Sequence, residues 1–435
     1  MSYQEVVEYL DLFINYERTL PLDYMRAFRL ERMNRLLGLL DNPHKELRVI
    51  HVAGTKGKGS TAALITSILK ESGLRAGLYT SPHLTSFRER IRINDELIEE
   101  DSLAKIVSGI KPQLEAMRKE DLSFFEAYTA IAFKYFKERD VDFAVIETGL
   151  GGRLDATNVA EKSIAVITPI SLEHTDILGN TVKKIAREKA AIIKEDSISI
   201  SAPQKREALD VIEDVCLKKR STLYLVGRDI YIDKGRFGRD TQSFNVWTKF
   251  GEYPSLEIKL RGEHQIINAA AAIGAVETLR AYNLFVSQDA VRKGISKTEW
   301  PGRMEVLQRD PLVIADGAQN DESSEALINA LKRHFDFKRL ILVLGISEDK
   351  DIKGICKILS QIADFVILTR ADNPRAADPK ILKRAIKNRP CKLFLDSRDA
   401  MDCAYSEARR DDLILVTGSL FLVGEVRGMT HEIQS

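Results

Sequence analysis

The stretch that most constrains the fold is GTKGKGS, Gly54–Ser60, set between a β-branched run at Arg48–Ala53 and a helical stretch at Ser60–Ser72 that Gly73 closes. A chain that leaves a strand, turns through glycines and enters a helix points backbone N–H groups and the positive helix end at one spot, an arrangement suited to phosphate. The spacing departs from the usual GxxxxGK followed by Ser or Thr, because Gly59 separates Lys58 from Ser60. Lys58 is then the side chain for the outer phosphates. A Gly-rich turn with no ligand is the plainer alternative.

Strand and helix signals keep alternating beyond this loop. Arg75–Thr80, Asp142–Glu147, Ile164–Thr168 and Ser197–Ser201 are short strand-like runs with helices between them, which predicts a mostly parallel sheet with helices on both faces. Ahead of the loop, Val6, Leu10 and Phe13 recur at helical spacing, and a second amphipathic stretch runs from Leu22 to Leu40. After Thr298 the chain restarts with strands at Leu312–Ala315, Leu340–Leu344, Phe365–Thr369, Lys392–Leu395 and Leu413–Thr417. With 435 residues the chain exceeds one ordinary core. The expected architecture is a P-loop-containing α/β domain at 1–297 and a smaller Rossmann-like α/β domain at 298–435, parted near Lys297–Pro301.

Charge removes some classes of partner. Sixty-five basic and 64 acidic residues leave a formal charge of +1, so no excess drives binding to nucleic acid or a membrane surface. No apolar run approaches a membrane span, and Glu5, Glu8 and Asp11 make the first residues unlike a signal peptide. Cys216, Cys356, Cys391 and Cys403 lack zinc spacing and fit reduced thiols. A cytoplasmic monomer is expected.

A phosphate loop calls for a hard-oxygen ligand to Mg²⁺ beside it. Glu147, where an apolar strand runs into Gly149–Arg153, supplies one, unless it is merely a surface acid. Lys189 shares a helical stripe with Val182, Ile185 and Ile192, so it points along the apolar face. Burial there disfavours the ammonium form and leaves a nucleophilic amine able to take up carbon dioxide; snorkelling to water is the alternative. His51 and His83 read as structural.

GTKGKGS, TSPHL at Thr80–Leu84, ETGLGGRLDATN at Glu147–Asn158, SLEHTDILGNT at Ser171–Thr181 and REKAAIIK at Arg187–Lys194 together resemble the folylpolyglutamate synthase and dihydrofolate synthase family of the Mur ligase superfamily. So do GEHQIINAA at Gly262–Ala270, WPGR at Trp300–Arg303, DGAQN at Asp316–Asn320 and VTGSL at Val416–Leu420. The resemblance spans the chain from Leu30 to its last strand. It implies an ATP-dependent ligase that joins L-glutamate to dihydropteroate or to the glutamate tail of a folate, through an acyl phosphate, in a cleft between closing domains.

By the same resemblance, the ATP phosphates sit on Gly57, Lys58, Gly59 and Ser60, with further ATP contacts from Asn268, Arg303 and Asp316. One or two Mg²⁺ ions are held at Ser81, Glu147 and His174. The pteridine-bearing acid lies near Ser123, Phe124, Phe125, Leu154, Asp155 and Ala156, although both phenylalanines could equally be core. Lys189 matches a lysine known in the family as N6-carboxylysine. Lys58, His174, Lys189 and Arg303 are the expected catalytic set. Gln319 replaces the histidine of the family's DAHN motif, a position associated with the incoming glutamate, and Ser419 is a second candidate for that substrate. The rival readings are a Mur-type ligase acting on another carboxylate and a P-loop ATPase without ligase activity.

Overall fold

The computed structural model describes residues 1–18 and 27–434. The amphipathic stretch expected at Leu22–Leu40 falls partly outside them; its described part contains the helix Leu30–Gly38. The chain divides into two compact units, one of residues 1–235, 243–258 and 264–298, the other of 236–242, 259–263 and 299–435.

The first unit is built on an eight-stranded sheet with strands β1 (Val49–Ala53), β2 (Ala76–Tyr79), β3 (Ile91–Ile93), β4 (Glu96–Leu97), β5 (Phe143–Glu147), β6 (Ser163–Ile167), β7 (Ile198–Ser201) and β8 (Thr222–Leu225), in the order β4-β3-β2-β5-β1-β6-β7-β8. All pairings from β2 to β8 are parallel, and β3 and β4 add an antiparallel edge. Every residue of β1, β5 and β6 is buried, as strands covered on both faces require. The chain leaves β1 towards β2 and leaves the neighbouring β6 towards β7, in opposite directions across the sheet. Open α/β sheets bind ligands at such a reversal, beyond the carboxyl ends of the strands. There the loop Gly54–Gly57 follows β1, and Glu147 ends β5 in register with Val52 of β1.

A three-stranded sheet, β9 (Ile230–Phe237), β10 (Gln242–Thr248) and β11 (Glu252–Ile258), was not anticipated. Its signal was present: Phe244 and Val246 alternate with less buried neighbours along β10, the period of a half-buried strand.

The second unit holds β12 (Glu305–Arg309), β13 (Leu312–Asp316), β14 (Leu340–Leu344), β15 (Phe365–Leu368), β16 (Cys391–Leu393) and β17 (Leu413–Thr417), in the order β12-β13-β17-β14-β15-β16. All pairings from β13 to β16 are parallel and β12 is an antiparallel edge. No helix among the described residues is long and apolar enough to cross a membrane.

One buried ion pair ties the early helix to the first unit's core. Arg32, 6% exposed, donates from Nε to Glu126 Oε1 and from Nη2 to Oε2, each at 2.8 Å. Glu126 also accepts from the Ser123 N–H at 2.9 Å, closing the capping box of the helix Phe124–Glu138. Removing one partner of a buried pair strands the other's charge, at a cost of about 3–5 kcal/mol. Arg32→Met is therefore expected to lower unfolding stability by that amount, read as a shifted urea midpoint.

Candidate active site

Gly57 caps the helix Lys58–Glu71 with φ +84°, a left-handed conformation that glycine adopts without steric cost. A Cβ at this position would also run into the side-chain amide of Asn268, which is 3% exposed and whose Nδ2 donates to Gln265 Oε1 at 2.9 Å. The helix Glu263–Glu277 thus brings Asn268 against the phosphate loop. Ser60 lies in the first turn of the loop's helix and is 2% exposed.

The loop is fastened to the segment after β6. Thr55 N–H donates to the Pro169 carbonyl at 2.9 Å, and its hydroxyl exchanges bonds with the Ser171 carbonyl and N–H at 3.1 Å each. Lys56 pairs with Glu173 at 2.6 Å. His174, the next residue, caps the short helix Thr175–Leu178 with φ +51°.

Lys58 Nζ stands 3.9 Å from Glu147 Oε1, and Glu147 Oε2 accepts from the Ser81 N–H at 3.2 Å. Three expected residues, from a helix start, a loop and a strand end, therefore converge at the end of β5. Glu147 is 5% exposed. Among the described residues no three His, Cys, Asp or Glu side chains group to cage a metal unaided. One carboxylate with a serine beside a phosphate loop still fits Mg²⁺, which takes most of its oxygens from phosphate and water.

Lys189 is 5% exposed and donates from Nζ to the Gly54 carbonyl at 2.7 Å. Burial, reinforced by the Lys58 charge, brings its amine down to about 7, so near neutral pH much of it is unprotonated. The lysine does not snorkel.

The segment after Glu147 is held from within. Asp155, 1% exposed, accepts from the backbone N–H of Leu150 at 2.8 Å and of Thr157 at 3.0 Å, and from the Thr157 hydroxyl. Thr157 in turn contacts His51 Nε2 at 2.8 Å. Burial, with Lys194 adding to it, drives His51 down to about 3, leaving a neutral ring inside β1. A Cβ on Gly152 would come within 2.5 Å of the Glu188 carbonyl, so this segment packs directly on the helix carrying Lys189. Leu154 is half-buried and Ala156 buried.

Phe124 is corrected. Its ring is 0% exposed, packed on Phe87 and Tyr128 with Arg90 above it at 5.1 Å, and offers no face to a ligand. Ser123 is 4% exposed, and its hydroxyl is engaged with Glu126 at 2.6 Å. Phe125 keeps an exposed part; its ring lies 5.9 Å from Tyr79, and a Cβ on Gly149 would touch it at 2.6 Å.

In the second unit Asp316 ends β13 and accepts from Met304 N–H at 2.9 Å and Ala318 N–H at 2.8 Å. Burial pushes its carboxyl up, opposed by the charge of Arg303. Arg303 donates to the Gly302 carbonyl at 3.0 Å and lies so close to Gly317 that a Cβ there would meet its guanidinium at 2.6 Å. Gln319 is half-buried, with its N–H donating to Ser323 Oγ at 3.1 Å. Ser419 precedes the helix Leu420–Gln434 and accepts from Phe421 N–H at 3.2 Å.

The family described as Mur ligase middle domain matches residues 52–276, and the Mur ligase, glutamate ligase domain matches 302–420. A Bacillus subtilis dihydrofolate synthase/folylpolyglutamate synthase is 37% identical over 403 residues, which are 92% of this chain and 94% of that one. The chain belongs to the folylpolyglutamate synthase and dihydrofolate synthase family. A Lacticaseibacillus casei folylpolyglutamate synthase is 33% identical across 98% of both chains. Among solved structures, the Mycobacterium tuberculosis folylpolyglutamate synthase complexed with ADP and AMPPCP superposes with a TM-score of 0.90 at 31% identity, covering 98% of each chain. The Escherichia coli FolC protein in complex with DHPP and ADP gives 0.87 at 31%, covering 99% of this chain and 98% of that one. As a member of the folylpolyglutamate synthase and dihydrofolate synthase family, the chain is a carbon–nitrogen ligase with the α/β architecture of Mur ligases.

Two features escaped sequence reading. Glu89 accepts from three successive N–H groups, Leu84 at 2.8 Å and Thr85 and Ser86 at 3.0 Å each. Arg90, 1% exposed, joins His83 to Glu17. The first does carry a signal, the S-x-x-E spacing of Ser86 and Glu89 that marks a capping box; nothing in the spacing announces the second.

Proposed function

We propose that the protein consumes ATP to attach L-glutamate to dihydropteroate, to the glutamate tail of a folate, or to both, by way of an acyl phosphate. The observation that carries the reading is the meeting of Glu147 with Ser81 at 3.2 Å and with Lys58 at 3.9 Å beside the phosphate loop. The ADP, AMPPCP and DHPP complexes of its relatives support it.

A carboxylate cannot expel oxide, so it must first become an acyl phosphate. Gly57, Gly59 and Ser60 present N–H groups to the phosphates, and Asn268 fixes the loop that does so. Lys58 offsets charge on the phosphoryl group while the acid's oxygen attacks in line; Arg303 and Asp316 are carried as nucleotide contacts by the family resemblance alone. Ser81, Glu147 and His174 would hold one or two magnesium ions, which when bound would supply the remaining Lewis-acid charge. The glutamate amine then attacks the acyl carbon and phosphate leaves. Phe125 provides a flat face for the pteridine, with Ser123, Leu154, Asp155 and Ala156 shaping its surroundings. The neutral Lys189 amine is suited to add to carbon dioxide, losing one proton and becoming an N6-carboxylysine carboxylate.

Phosphate release that requires both a pterin acid and glutamate tests this reading, and release indifferent to both contradicts it. Mass spectra of products from dihydropteroate and from tetrahydrofolate separate the two activities. A cytoplasmic monomer with small-molecule partners completes the proposal; light scattering at about the 49.0 kDa of one chain checks the monomer.

Gln319 hydrogen-bonds but carries no charge. Gln319→His is expected to make the KM for glutamate fall severalfold as pH drops from about 7.5 to 5.5, because an imidazolium then faces the amino acid's carboxylates. The parent protein should show no such fall over that range. Initial rates against glutamate at each pH measure it.

A further inference from the structure

We propose that His83 is a specificity-determining residue that donates its Nε2–H to a lone pair on the flat heteroaromatic ring of the acid substrate. The proposal rests on the pterin-acid reading above and adds a recognition group to it.

Arg90 decides the state of His83. Its Nε donates to His83 Nδ1 at 2.8 Å, while its two terminal nitrogens hold Glu17 Oε1 at 2.9 Å and Oε2 at 2.5 Å. A guanidinium keeps all its protons, so His83 Nδ1 must accept and the ring's one proton sits on Nε2. Among the described residues that nitrogen has no hydrogen-bond partner, and the ring is only half-buried. Phe124, withdrawn above from direct substrate contact, lies beneath this same guanidinium.

The donors of the surrounding segment are already engaged. Ser81 N–H goes to Glu147, Pro82 has none, Leu84, Thr85 and Ser86 give theirs to Glu89, and Arg88 Nε donates to the Ile98 carbonyl at 2.7 Å. His83 Nε2–H is left as a preset donor, its ring braced 4.6 Å from that of Phe87. It stands two residues beyond Ser81, in the segment that follows β2, and Phe125 lies against Tyr79 at the end of that strand. A fixed neutral donor four residues beyond Tyr79, the strand-end residue on which the half-buried Phe125 packs, suits a planar heterocycle with lone pairs. A site built to hydrogen-bond its substrate rejects analogues lacking the acceptor.

The test compares binding of dihydropteroate with that of aminobenzoylglutamate, which lacks the pterin ring, to protein loaded with AMPPCP. His83→Phe keeps an aromatic ring but removes the donor, and is expected to weaken dihydropteroate binding about tenfold, the worth of one hydrogen bond. Aminobenzoylglutamate binding and the KM for ATP should be unchanged, and His83→Gln, which restores an N–H, should recover most of the loss. Equal dihydropteroate affinity in His83→Phe, or equal losses for both acids, overturns the proposal. Parent protein that binds aminobenzoylglutamate but not dihydropteroate contradicts the pterin-acid reading instead, and this inference falls with it. Independently of any substrate, ¹⁵N-histidine NMR of the unsubstituted protein should show His83 protonated at Nε2; a proton on Nδ1 refutes the lock.

Discussion

Lys58→Ala is expected to cut the ligation rate by about a hundred- to a thousandfold while leaving the fold intact. The side chain is 17% exposed and stands 3.9 Å from Glu147 at the start of its helix, so its loss opens no core cavity. What it removes is a preset positive charge at the phosphoryl group, and deleting one such transition-state contact typically costs two to three orders of magnitude. Unfolding stability should change by less than about 1 kcal/mol, as for substitutions outside the packed interior. Single-turnover rates under saturating ATP and acid separate this from a binding defect. A variant that keeps parental kcat and only raises the KM for ATP would show that Lys58 grips the nucleotide without aiding transfer.

The second large effect joins stability to chemistry. Lys189 has an amine near 7 in the folded chain, against 10.5 for a free lysine, mainly through burial. Between those values the unfolded chain binds a proton that the folded chain does not, so stability rises with pH across the window. The cost of burying the amine is full below about pH 7 and gone above about pH 10.5, and is on the order of 4–5 kcal/mol. Lys189→Met, of similar length and apolar, is therefore expected to be more stable than the parent at pH 7, with a flatter stability profile up to pH 10. The bond to the Gly54 carbonyl is lost in the exchange and offsets about 1 kcal/mol of the gain. Activity should fall at least about a hundredfold, because no amine remains to become a carboxylate beside the phosphate loop. Bicarbonate added to carbon-dioxide-depleted protein should raise the activity and melting temperature of the parent and change neither in the variant. Urea midpoints across pH decide the matter: a less stable Lys189→Met at pH 7 would contradict the burial argument.

How much was legible in the sequence followed from how local each signal is. Gly54–Ser60 declares itself because strand, glycines and helix are consecutive, and the inner parallel strands β1, β5, β6, β13, β14 and β17 are near-continuous apolar runs bounded by turns. Lys189 could be placed inside because its stripe repeats at helical spacing. Phe124 and Phe125 could not be told apart: both are large and apolar, and the solvated polar residues of their helix, Lys134, Lys137 and Glu138, come only at its far end. Arg32 and Glu126 meet across 94 positions, and Glu17 and Arg90 across 73; no periodicity spans such a gap. His83 looked structural because its tautomer is set by a partner that only folding brings to it.

The account depends on activation of the acid by ATP before nitrogen attacks. Dihydropteroate or folate labelled with ¹⁸O in the reacting carboxyl group, turned over with ATP and glutamate, should transfer one labelled oxygen to each inorganic phosphate released. Ligated product accompanied by unlabelled phosphate would contradict it.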